Sequence, residues 1–91
     1  MQEFIEQIVK EIVSGVVELD PAQRHMFLVW LAGHASQVCC TAEEEVEACL
    51  NQKLATWLGT LSVAGVLWEY RLVLGEIEWR CNLEPVVRTQ A

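Results

Sequence analysis

The stretch that most restricts the fold is "WEYRLVLGEIEWRCNL", residues 68–83. Trp68, Tyr70, Leu72 and Leu74 alternate with Glu69, Arg71 and Val73. After Gly75-Glu76, Ile77, Trp79, Cys81 and Leu83 alternate with Glu78, Arg80 and Asn82. Two is the side-chain period of a strand. Gly-X between two such runs is the signal of a two-residue type II′ turn. Closing the turn there pairs Leu74 with Ile77, Leu72 with Trp79, Tyr70 with Cys81, and Trp68 with Leu83. One face is then apolar and the other nearly all polar. The pattern predicts an antiparallel β-hairpin over 67–83, followed after Pro85 by a tail, 85–91. Short apolar runs fit either period, so the alternative is a helix over 61–74 carrying Val63, Leu67, Tyr70 and Leu74, within an all-α bundle.

Upstream, apolar residues recur with a helical period. Over 3–19, Ile5, Ile8, Val9, Ile12, Val16 and Leu19 share one side of a helical wheel, widened by Phe4, Val13 and Val17. That arc exceeds half the wheel, more than one packing neighbour can fill. The helix is either sandwiched or shared with a second copy. "LDPAQRH" then punctuates the chain: Asp20 suits an N-cap and Pro21 the first helical position. The second helix, 21–38, is apolar all round from Met26 to Ala32, which predicts a central, buried position. A third helix, 42–58, is expected to start at "TAEEE". Thr41 and Glu44 have capping-box spacing, and Glu43, Glu44 and Glu45 suit the positive end of the helix dipole.

The expected fold is therefore α+β: one domain, 1–91, with three helices packed on a C-terminal antiparallel hairpin in winged-helix-like order. Apolar residues make up 53% of its 91 residues before the five glycines are counted. Ordinary domains reach about 45–50% with glycine included, and a chain this short buries only about two-thirds of its unfolded surface. The surplus points to a partner chain, and a homodimer through Val9, Val13 and Val17 is expected.

The net charge of −7 is concentrated in residues 1–60, with nine acids against three bases, and residues 61–91 hold four against three. Such a chain repels phosphate, so nucleic acid and anionic membranes are poor partners. The opening "MQEFIEQIVKEIVSG" lacks a cationic leader pattern, and "MFLVWLAGHASQVCC" is too short to span a bilayer. A cytoplasmic protein is expected.

Chemistry-bearing residues are sparse. Cys39, Cys40, Cys49, Cys81, His25 and His34 show neither C-x₂-C nor H-x₃₋₅-H spacing, so no metal or cofactor is expected. Cys40 and Cys49 could bridge across a helix start, against an expectation of reduced core thiols. His34 shares a helix side with Phe27 and Trp30, the setting of a packed histidine. No nucleophile elbow, phosphate loop or dinucleotide fingerprint occurs, which argues against an enzyme.

What remains is protein binding. Glu43, Glu44, Glu47 and Asn51 form a candidate docking face for a basic partner. The expected function is that of a small acidic inhibitor or adaptor of a larger protein, nucleic-acid-handling proteins included, of the kind that phages and mobile elements carry. A winged-helix transcriptional regulator is the alternative, and a thiol or metal sensor ranks third.

Overall fold

Asp20 and Pro21 punctuate the chain as their chemistry requires. Asp20 Oδ1 accepts the Gln23 N–H at 2.9 Å, and Pro21 opens the helix that follows. In a computed structural model, which describes residues 2–40 and 45–83, the helices are α1 (Gln2–Glu18), α2 (Pro21–His34), α3 (Val46–Leu58) and α4 (Val63–Cys81). Among the described residues there is no strand.

The hairpin, and with it the α+β, winged-helix-like architecture, is thus overturned: the fold is an all-helical bundle. Residues 67–83 fall mostly inside α4, a helix longer than the alternative over 61–74. Ser62 caps it, its Oγ accepting the Gly65 N–H at 3.1 Å. Gly75 is no turn, since no glycine among the described residues has positive φ, the backbone that a II′ turn demands at that position. The alternation misled because α4 is apolar on several sides. Val66, Val73 and Ile77 face the core, Tyr70 and Leu74 pack at its edge, and Leu67, Trp68, Leu72 and Trp79 are exposed. Apolar residues spread this widely leave no helical period to detect.

α1 is the sandwiched helix that its broad arc required, packing against α2, α3 and α4. Ile5, Ile8, Val9, Ile12, Val13 and Val16 are all buried. Full burial of one such side chain contributes roughly 1.5–3 kcal/mol, so this helix is the centre of the core. Its C-terminal carbonyls, which no intrahelical N–H can reach, are met by Arg24. That guanidinium donates to Val17 O at 3.0 Å and Leu19 O at 3.1 Å. α2, expected to be central, is peripheral: Phe27, Leu28 and Leu31 are buried, while Met26 and Val29 face outward. The connection after α2 returns Ala35, Val38 and Cys40 to the core.

Candidate interaction surfaces

Cys40 and Cys49 form a disulfide with Cα atoms 6.1 Å apart, an ordinary separation for a bridge. The expectation of reduced core thiols is corrected for this pair. Cys39 and Cys81 are free and exposed. Cys81 therefore does not occupy the apolar strand position that the hairpin would have given it. The bridge fastens the connection after α2, at Cys40, to the first turn of α3. Lys53 Nζ donates to Cys39 O beside it.

His34 sits among aromatic rings. It stacks on Trp30 with centroids 5.1 Å apart and planes 4° from parallel, and it meets the edge of Trp57 at 6.1 Å. Its Nε2 lies 2.7 Å from Glu69 Oε1. Those contacts join α2, α3 and α4 and give the histidine a structural use. Among the described residues, no three His, Cys, Asp or Glu side chains are grouped closely enough to hold a metal ion.

The residues expected to bind a partner are distributed unevenly. Glu43 and Glu44, like the Thr41 cap, lie outside the described residues. Glu45 takes the N-cap position of α3 and makes no side-chain cap bond. Glu47 is exposed on the first turn of α3, and Asn51 Nδ2 donates to Glu47 O at 2.9 Å. Asn51 lines an open groove of about 430 Å³ between α1 and α3, together with Glu6, Val9, Ala48, Gln52 and Ala55. Glu6 was not among the expected site residues, and only its position on the face of α1 next to α3 brings it in. Of the expected dimer contacts, Val9 and Val13 are used inside the chain, and only Val17 reaches the surface.

A second surface escaped the sequence reading. Gln23 Oε1 accepts from Arg80 Nη1 at 3.2 Å near one end of the α2–α4 seam, and His34 meets Glu69 at the other. The two helices are therefore antiparallel, with 23/27/30/34 facing 69/73/76/80. On antiparallel helices of one hand, positions one residue earlier turn to the same side of the seam. Those positions are Ala22, Met26, Val29 and Gly33 on α2, and Trp68, Leu72, Gly75 and Trp79 on α4. All are exposed, with Trp68 at 68%, Val29 at 58%, Trp79 at 56% and Met26 at 52%. The i, i+4, i+7, i+11 spacing was in the sequence, but it is read only once α4 is known to be a helix.

In comparisons with protein-family models, curated proteins and solved structures, no match to this chain is found.

Proposed function

We propose that this chain is a non-enzymatic interaction protein, a small acidic inhibitor or adaptor that docks on a basic surface of a larger protein. Nucleic-acid-handling proteins are the natural class, because their basic clefts suit an acidic ligand. The observation that carries the reading is uncompensated carboxylate charge at the exposed start of α3, where Glu45 and Glu47 stand, and in the α1–α3 groove, which Glu6 lines. Ion pairs among the described residues join His34 to Glu69 and Arg80 to Glu76, both at the α2–α4 seam. Neither involves Glu6, Glu45 or Glu47, so among the described residues these exposed carboxylates are left without an ion-pair partner and are open to a cationic one. The amides of Asn51 and Gln52 add neutral hydrogen-bonding groups beside them. The winged-helix regulator is withdrawn, since α4 replaces the wing.

The test is a pull-down from cells that produce the protein, followed by binding measurements against the captured partner. Glu6→Gln with Glu47→Gln should leave the fold intact and weaken binding. The association rate should fall more than the dissociation rate rises, and wild-type affinity should fall with salt. Equal affinities with no salt dependence would leave the carboxylates as a solvated face.

Thiol sensing is a second reading, favoured by the Cys40–Cys49 bridge. A cytoplasmic location, our proposal for this chain, would hold the pair as a dithiol at rest, whereas an oxidising compartment would keep it bridged. No described helix is long and apolar enough to cross a membrane. Thiol trapping in the producing cells reads the resting state directly, and a pair permanently bridged there would overturn both the cytoplasmic location and the sensor.

A further inference from the structure

We propose that the open α2–α4 face is the seam of a homodimer, covered by a second copy of this chain with α4 lying antiparallel on its counterpart. Area supplies the first argument. Met26, Val29, Trp68, Leu72 and Trp79 leave on the order of 500 Å² of apolar side-chain surface in water. A standard interface buries roughly 800 Å² per partner, about 65% of it apolar in homodimers, or roughly 520 Å². The face therefore supplies about what one side of such a dimer needs.

Self-complementarity supplies the second. A two-fold axis makes each contact twice, with the same patch on both sides. With the axis between Leu72 and Gly75, Leu72 drops onto Gly75 of the second copy, where a Cβ built on the glycine meets nothing within 4 Å in the monomer. Trp79 of the second copy comes opposite Trp68. There an opening of about 380 Å³, lined by Trp68, Arg71 and Leu72, can receive it.

Charge supplies the third. Arg71 and Glu78 precede Leu72 and Trp79 by one position, so they flank the stripe on one side. Across the axis, Arg71 of each copy stands about 3 Å along the helix direction from Glu78 of the other, within reach of an ion pair. Neither residue is in an ion pair among the described residues. The same antiparallel register satisfies bulk, notch and charge.

This dimer does not depend on acidic docking, and Glu6→Gln with Glu47→Gln should leave it unchanged. The experiment is analytical ultracentrifugation of the full chain at tens of micromolar, with circular dichroism as the check on folding. Wild type should sediment as a dimer. Gly75→Glu, at a site open in the monomer and favourable to helix, should give a folded monomer, and Val29→Lys is the second variant for the same face. Arg71→Glu should weaken the dimer at least about tenfold, and adding Glu78→Arg should restore it to within about threefold. A monomeric wild type overturns the proposal and leaves the face to a different protein. A dimer indifferent to both Gly75→Glu and Val29→Lys also overturns it, placing self-association elsewhere.

Discussion

Tyr70 reports on how α4 is held against α1. Its hydroxyl donates to Glu11 Oε1 at 2.6 Å, and this hydrogen bond, then partial burial, then the Glu11 charge hold the phenol above its ordinary value. A group raised in the folded state contributes stability that is complete below its unfolded pKa, about 10 for tyrosine, and that is lost as pH rises through the folded value. The Tyr70 contribution is therefore fully present at neutral pH and is lost in alkali, as the phenol ionises. Because Tyr70 is the chain's one tyrosine, its absorbance titration is unambiguous. The midpoint should lie above that of the unfolded chain, and Glu11→Gln should lower it; identical midpoints would remove the hydrogen bond. The Cys40–Cys49 bridge acts on the unfolded state instead. Closing a loop over nine positions should stabilise by about 2.5 kcal/mol on chain-entropy grounds. Denaturant unfolding with and without reductant measures it, and identical curves would mean that the bond does not form. In the sequence the bridge was legible only as an option, and the Tyr70–Glu11 contact was not legible at all. A disulfide partner is set by where Cys40 returns to the core, and the Tyr70–Glu11 pair spans 59 positions.

At the scale of elements, what was legible followed from local chemistry. Asp20-Pro21 announced α2 because an N-cap and a fixed φ act within one turn, and the Ile/Val arc announced α1 because one face meets three neighbours. α4 was misread because its apolar residues serve three purposes at once: core, seam and open face. Ser62, which caps it, was the available local signal. The corrected assignment reverses the sign of a substitution. In a II′ turn, a side chain at Gly75 would be strained. In the interior of α4, with negative φ and open space, Gly75→Ala should stabilise by about 0.5–1 kcal/mol. The measurement belongs at low protein concentration, where the monomer alone is read. A loss of stability there would restore the turn. Gly15 is the contrasting glycine. A Cβ on it would meet Ile77 Cγ2 at 3.1 Å, so close approach of α1 and α4, not φ, accounts for that residue.

At the scale of the molecule, the apolar surplus has two destinations. α1 takes its Ile residues and most of its Val residues into the core, and the α2–α4 face keeps Met26, Val29, Trp68, Leu72 and Trp79 in water. Composition made the surplus legible, but not its location, because exposure is decided by which helix faces pair. The geometry also links the two proposals. Ile77, which packs against Gly15 of α1, lies on the far side of α4 from Gly75. A dimer closed over the α2–α4 face therefore carries its two α1–α3 layers outward, each with its acidic groove free. Such a dimer is bivalent. On a surface dense in the basic partner, the second groove binds intramolecularly, and avidity can exceed a single groove's affinity by about 10²–10⁴. Gly75→Glu should then leave the affinity of one groove for soluble partner unchanged, while weakening capture by the dense surface at least about tenfold. Capture on surfaces of high and low partner density, compared for wild type and Gly75→Glu, separates the cases. A loss in solution as well would place the partner on the α2–α4 face itself. No loss on the dense surface would mean that the two grooves of a dimer do not engage together.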